Sequence, residues 1–347
     1  MQQLAGIKGA IHIHSRYSDG SDGMEAIIGA ARAAELDYVV VTDHNVLKAK
    51  SLGWEGWHDG VLVIVGCEIS PKAGHCLALN VDNCRKFYKL PAPEYLGRVK
   101  AQGGMAFVAH PEGSMVREFN LKLNAWTYWD SPDYTGLEIW SYMHDWIRGC
   151  TIRRLRHYIT QPDAHVSGPG REVLALWDRL AGTRRMVGIG SLDNHAANFP
   201  LRKCCWKLLK IFPHEFAFKT VRTHILVPPL TGRSQEDVDA VLAALKSGRC
   251  YIDYAPLGDG TGFRFTAEQN GQEYQMGDEM AAGGKPVTFR ASCPRDAELS
   301  LLRDGQVEKV QVGRALEHST AAAGVFRVEA CIGGRAWVFS NHIYVRV

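Results

Sequence analysis

Residues 7–13 (IKGAIHI) form an apolar run, and residues 24–35 then set Ala26, Ile27, Ala30, Ala31 and Ala34 on one side of a helical period. The first stretch predicts a β-strand. The second predicts a helix opened by the Ser21-Asp22-Gly23 cap. Residues 38–42 (YVVVT) follow as a continuous apolar run of the kind found in buried parallel sheets. Further strands are predicted at 61–69 (VLVIVGCEI), 76–81 (CLALNV), 105–109 (MAFVA), 136–140 (GLEIW), 187–192 (VGIGSL), 221–227 (VRTHILV) and 250–254 (CYIDY). Helices are predicted around 93–102, at 172–181, and at 236–246 with Gly248 as its stop. Residues 143–167, rich in Arg and His, read only as helix and loop, and an aromatic loop precedes residue 221. Strands alternating with helices, with polar residues at the strands' C-terminal ends, predict an α/β barrel or doubly wound sheet whose active site gathers at that edge.

From about Leu257 the pattern changes. FRFTAEQ, PVTFRASC, ELSLLRD, QVEKVQV, VFRVEACI and RAWVFSNHIYVRV alternate apolar and polar residues, and no helical period separates them. Asp304-Gly305 and Gly333-Gly334 fall where two-residue hairpin turns belong. The expected division is an α/β part at 1–256 and a small antiparallel β-sandwich at 257–347.

Composition narrows the class of protein. The 347 residues are 46% hydrophobic and 22% charged, enough for a large core and two domains. A net charge of +3 with dispersed Lys and Arg gives no support to nucleic-acid binding. The opening MQQLAGIKGAIH has no signal-peptide character and no apolar run is long enough to cross a bilayer, so a cytoplasmic, non-membrane protein is expected. Nine cysteines show no Cys-x-x-Cys spacing. Cys67, Cys76, Cys250, Cys293 and Cys331 lie in strand-like runs as small buried hydrophobes, and the pair Cys204-Cys205 is read as structural.

The candidate chemistry sits at the strand ends. On a strand alternate side chains share a face, which would set His12 and His14 together as a chelating pair, with Asp19 offered by the Ser-Asp-Gly turn that follows. Later strand ends add His44, Glu68, His75, His110, Asp193 and His195. Glu68 is the one charge in an apolar run, so it must be paired or bind a cation. Glu138 has no such polar neighbours and reads as a surface or supporting group. His58, His144, His157, His165, His214, His224, His318 and His342 read as surface or satisfied core histidines. Imidazole and carboxylate without thiolate suit zinc, manganese or iron. Nine donors exceed what one ion needs, so two or three divalent ions sharing Glu68 as a bridge are expected. The implied reaction is hydrolysis by a water whose pKa the metals lower toward about 7.

HIHSRYSDG, VTDHN, GCEIS followed by His75, AHPEG and SLDNH together resemble the successive motifs of the polymerase and histidinol phosphatase (PHP) superfamily, over roughly residues 7–255. The resemblance implies a distorted (β/α)7 TIM-like barrel and a two- or three-metal centre that cleaves phosphoesters. Carried over motif by motif, it implies His12, His14, Glu68 and Asp193 around one ion, Glu68, His75 and His110 around a second, and Asp19, His44 and His195 around a third. Some branches of the superfamily carry His where this chain has Asp19. The tail, with VRTHILVPPLTG and LKSGRCYIDY before it, is similar to the carbaryl-hydrolase-like branch, which has an immunoglobulin-like domain after the barrel and a carbamate ester as its best-known substrate.

The expected function is a metal-dependent phosphoesterase acting on a small phosphorylated metabolite or nucleotide. Glu68 would bridge the ions, and His44 or His195 would assist the leaving group. Arg16, Arg117 and Arg148 are candidate phosphate contacts. A carboxylic or carbamate ester hydrolase using the same site is the alternative, for which Trp126, Tyr128, Trp129, Trp140, Tyr142 and Trp146 could line an apolar pocket. A metal-binding accessory module without catalysis is the non-enzyme alternative.

Overall fold

The computed structural model describes residues 4–72, 74–116, 121–151, 153–202 and 205–347. Arg117 and Cys204 therefore lie outside the described residues. The strand Ala5–Ile13 pairs in parallel with Tyr38–Val41 on one side and antiparallel with Val221–Val227 on the other. Outside these lie Val61–Val65, parallel to Tyr38–Val41, and Cys250–Tyr254, antiparallel to Val221–Val227. Every residue of Tyr38–Val41 and Val61–Val65 is buried, as their unbroken apolar sequences require.

The run 61–69, expected as one strand, is two strands in two sheets. Val61–Val65 stays in the first sheet, whereas Cys67–Ile69 pairs antiparallel with Cys76–Leu79 in a second. Gly66 makes the switch: a Cβ there would stand 2.4 Å from the Leu79 side chain and 2.7 Å from the Ala78 carbonyl oxygen. The second sheet runs Cys67–Ile69, Cys76–Leu79, Met105–Val108, Gly136–Ser141, Val187–Ser191. Its first two pairings are antiparallel and its last two parallel. The connection from Ile69 to Cys76 is too short for the crossover a parallel pair needs.

The expected (β/α)7 barrel is therefore not a single closed ladder. Two sheets of a mixed α/β fold meet through isolated bridges, Ile13 with Asn194 and His44 with Glu68. Both bridges involve residues expected at the metal centre or next to them.

Helices flank the sheets. Met24–Ala33 buries Met24, Ile27, Ile28, Ala30 and Ala31. Ala92–Ala101, Arg171–Thr183 and Ser234–Ser247 match the predicted helical periods, the last ending on Gly248 at φ 80°. The region 143–167 contains the helices Tyr142–Ile147 and Leu155–Thr160 and the 3-10 turn Pro162–His165. The aromatic loop is a hairpin of Asn198–Arg202 and Cys205–Lys210.

Beyond residue 257 the strands Arg264–Gln269, Gln272–Gln275, Val287–Arg303, Gln306–Thr320, Gly324–Ile332 and Arg335–Ser340 pair antiparallel with their neighbours. The segments 286–293 and 298–304, expected as two strands, form one, with its register shifted between Ser292 and Ala297. Both predicted hairpin turns are present: Asp304 and Gly305 have φ 51° and 79°, Gly333 and Gly334 φ 58° and 74°, as two-residue turns with positive φ at both positions demand. Phe265, Phe289, Leu299, Phe326, Val328 and Trp337 pack into one core here.

This sheet is continuous with the first. Tyr251, Ile252 and Asp253 pair with Ser340, Phe339 and Val338, while Val325, Phe339 and Tyr344 join the core of the α/β part. Across the same contact the buried Arg327 guanidinium donates to both oxygens of Asp178 at 2.7 and 2.9 Å, and His342 Nε2 lies 2.8 Å from Asp178 Oδ1. Cys67, Cys76, Cys250 and Cys293 are buried and Cys331 is half-buried. No helix among the described residues is long and apolar enough to cross a membrane.

Candidate metal centre

Backbone irregularity at the strand ends aims the ligands. Between Ile11 and Ile13 the register against Tyr38–Val41 slips, and His12 is the extra residue, with φ 67°. His12 and His14 thus converge, their rings 5.1 Å apart, through a β-bulge and not through simple strand alternation. His110 and Asp193 also have positive φ, 29° and 51°. Such backbones cost about 1–3 kcal/mol each in side chains with a Cβ and persist only where their surroundings hold them. Here the holders are visible: the Asn194 N–H donates to the His12 carbonyl, the His14 N–H to the Asn194 carbonyl, and the His110 N–H to Glu138 Oε2.

Asp43 performs the same service for the following turn. It accepts hydrogen bonds from the Ser15 N–H at 2.8 Å, the Ser15 hydroxyl at 2.7 Å and the Ser18 hydroxyl at 2.6 Å. That fixes the segment carrying Asp19 against the strand end carrying His44.

All nine expected ligands meet. Glu68, fully buried, has Oε1 at 2.8 Å from His75 Nδ1 and 3.2 Å from His110 Nε2, and Oε2 at 2.9, 3.3 and 3.4 Å from His44 Nδ1, His12 Nε2 and His14 Nε2. Asp193 Oδ1 lies 3.2 Å from Nε2 of both His12 and His14. Asp19 Oδ2 lies 3.4 Å from His44 Nε2 and 3.3 Å from His195 Nε2, and Oδ1 lies 3.6 Å from His14 Nδ1. The donors fall into the overlapping groups His12, His14, Glu68 and Asp193; Glu68, His75 and His110; and His14, Asp19, His44 and His195. These are the three sets implied by the resemblance, with His14 reaching two of them.

The residues fit divalent cations. His12 Nε2, His14 Nδ1 and His110 Nδ1 are buried without a well-formed hydrogen bond, a costly state for polar atoms unless something else satisfies them. Two donors bound to one ion at about 2.1 Å in tetrahedral geometry stand about 3.4 Å apart. The His12–Glu68, His12–Asp193 and His14–Glu68 separations of 3.2–3.4 Å match that spacing.

Electrostatics point the same way. Burial opposes ionisation of Glu68 and Asp193, yet the imidazoles of His12, His14, His110 and their neighbours hold both carboxyls well below the usual range. Burial would lower His12, but Glu138, Asp193 and Glu68 raise it well above an ordinary imidazole. His44 is pushed up to about 10 against its burial by hydrogen bonds to Asp19 and Glu68. His14, where burial dominates with His195 adding to it, falls to about 4. The carboxylates favour protons on His12, His44, His110 and His195 as the positive charge at hand. Divalent cations would supply that charge and displace those protons.

Two further residues complete the centre: Glu138, expected as a surface or supporting group, takes the supporting place, and His144 was not predicted there. Glu138 Oε1 lies 2.6 Å from His12 Nδ1, fixing the tautomer that turns Nε2 toward the cluster. His144, expected as an ordinary surface or core histidine, has Nε2 at 2.9 Å from Asp193 Oδ2 and stacks on His110 with ring centroids 4.3 Å apart. Glu138 falls mid-strand and His144 on a short helix, so neither has the strand-end signature. Neither of the two candidate arginines in view pairs with a residue of the cluster: Arg16 is exposed 4.0 Å from Glu25, and Arg148, which lines a second cavity with His110, pairs with Glu112 at 2.7 Å. A further group, His224, Asp253 and Asp259, lies apart and already holds a cation, the Arg222 guanidinium bonded to Asp253 and Asp259.

A cavity of about 390 Å³ opens on the cluster. Asp19, His44, Glu68, His75, His110 and His195 form its polar side, and Met143, Trp146, Ile147, Leu155, Ala197 and Ile211 its apolar wall. Of the aromatic residues expected around such a pocket, Trp146 is the one that lines it.

Comparisons with known proteins bear on this site. Solved structures that resemble the chain include a two-domain protein containing a predicted PHP-like metal-dependent phosphoesterase from Bacteroides vulgatus ATCC 8482, with 14% identity over 98% of this chain and 95% of that one and a TM-score of 0.45. Another, from Bifidobacterium adolescentis ATCC 15703 and named as a metal-dependent phosphoesterase, has 17% identity over 54% and 87% of the two chains and a TM-score of 0.33. An amidohydrolase from Chromobacterium violaceum with bound sulfate has 13% identity over the same shares and a TM-score of 0.33. A search of curated proteins gave no match. Among protein-family models, the PHP domain matches residues 10–103, a stretch that contains His12, His14, Asp19, His44, Glu68 and His75. Over that stretch the chain is similar to a PHP domain.

Proposed function

We propose that the protein is a metal-dependent hydrolase of phosphoesters, with residues 1–256 as a distorted PHP-like α/β barrel built from two sheets and 257–347 as an immunoglobulin-like β-sandwich that braces it. One observation carries this reading: a buried carboxylate, Glu68, shared by two groups of imidazole and carboxylate donors at ligand spacing. Two or three divalent ions, zinc, manganese or iron, would be held by His12, His14, Asp19, His44, Glu68, His75, His110, Asp193 and His195. When bound they supply an acidified water and a clamp for the substrate's oxygens.

The chain's own residues do the rest. Glu138 and Asp43 hold the ligand-bearing segments in place. His44 and His195 line the cavity, where they would stand beside a leaving group. The apolar wall of Met143, Trp146, Ile147, Leu155, Ala197 and Ile211 would hold an apolar part of the substrate.

The same wall favours the second reading, a carboxylic or carbamate ester hydrolase. Among the described residues no Lys or Arg lines the cavity.

Metal analysis of the purified protein, followed by turnover of phosphomonoesters, phosphodiesters and aryl esters with and without chelator, tests both. Two or more equivalents of metal and chelator-sensitive phosphoester cleavage are expected. Cleavage confined to aryl or carbamate esters selects the second reading. A fully loaded protein that turns over no ester leaves a binding module.

A further inference from the structure

We propose that His144 is a positioning residue of the metal centre, acting through Asp193, outside the nine residues that the strand-end pattern supplies. The proposal rests on the cluster being a cation site. His144 Nε2 lies 2.9 Å from Asp193 Oδ2, while Asp193 Oδ1 faces His12 and His14 at 3.2 Å each. An ionised carboxylate can only accept, so the imidazole donates Nε2–H to Oδ2.

That donation divides the two oxygens of Asp193 between two jobs. Oδ2 is occupied by His144, and Oδ1 alone is left for the cluster. Without the donor, a carboxylate on a short side chain could turn about its last bond and offer both oxygens to one ion, changing how many donors remain for the others.

The ring is itself held. It stacks on His110 with 20° between the planes, and its side chain is one-tenth exposed. Its helix, Tyr142–Ile147, is anchored by the Met143 N–H bonded to the Leu192 carbonyl, next to Asp193 in the chain. His144 also lines both the apolar cavity and a smaller neighbouring one of about 180 Å³ walled by Ser141, Asp145 and Arg148. The group fixing Asp193 is therefore part of the wall that a substrate would meet.

Two variants separate donation from packing. H144F keeps a ring against His110 and removes the donor. H144Q keeps an N–H donor at similar reach and removes the ring. The readouts are metal affinity by chelator competition and the visible spectrum of the cobalt-substituted protein, with unfolding of the metal-free variants checking that both are folded. The expected result is a loss of affinity of about 10- to 100-fold in H144F with an altered cobalt spectrum, and near wild-type values in H144Q. Wild-type affinity and spectrum in H144F would overturn the proposal. So would equal loss in both variants, which would make the ring itself a ligand or a packing element. If the wild-type protein binds no cation, the metal-centre reading fails, and that outcome is distinct because it precedes any comparison of variants.

Discussion

Glu68 lies within salt-bridge distance of five imidazoles, those of His12, His14, His44, His75 and His110. A group with that many dependents cannot be removed locally. Glu68→Gln is expected to strip more than one equivalent of metal, because an amide is a poor bridge and two donor groups share the position; metal analysis of the variant measures it. Loss of one equivalent or less would show that the bridge lies elsewhere. The nine donors could be read from the sequence because each lies at or near an end of an apolar strand-like run, and α/β folds gather such polar ends at one edge. Glu138 and His144 could not be read the same way. Glu138 reaches the centre from mid-strand, and His144 from a helix turn whose position depends on tertiary contacts that no local pattern records.

At the scale of elements, periodicity served helices better than strands. The helix predicted at 236–246 appears as Ser234–Ser247, since an apolar face and a glycine stop are both local signals. The split at Gly66 and the bulge at His12 were hidden, because an apolar run reads alike whether it serves one sheet or two. Gly66 carries a prediction of its own. An alanine there would press on the Ala78 carbonyl, which is backbone and cannot step aside. Gly66→Ala is expected to cost about 1–3 kcal/mol in denaturant unfolding of the metal-free protein and to weaken metal binding by shifting Glu68. A variant as stable as wild type would mean that the two sheets are looser at this seam than the contact implies.

Across the whole molecule, the α/β part and the C-terminal strands are joined by the buried Asp178–Arg327 pair as well as by the shared sheet. Although burial alone would raise it, Asp178 is held down at about 2 by Arg327, with His342 adding to the effect. A carboxyl whose folded pKa lies below its ordinary value of 3.8 stabilises the fold above that value. The contribution disappears as pH falls through the folded pKa. The stability difference between wild type and Asp178→Asn is therefore expected to shrink by about 2 kcal/mol as pH falls from about 4 toward about 2, followed by denaturant titration at each pH. A difference independent of pH would assign the pair no electrostatic role in the join.

Pairing of Cys250–Tyr254 with Arg335–Ser340 also has a consequence for biosynthesis. Every donor of the cluster has been made by His195, but the open rim of Cys250–Tyr254 finds its neighbour only when residues 335–340 emerge. Until then the nascent chain exposes unsatisfied backbone and a bare patch where Phe339 and Tyr344 will sit. Completion of the α/β half therefore waits on a strand made well after the last donor, and a chain cut before residue 335 would hold all nine donors and no finished edge.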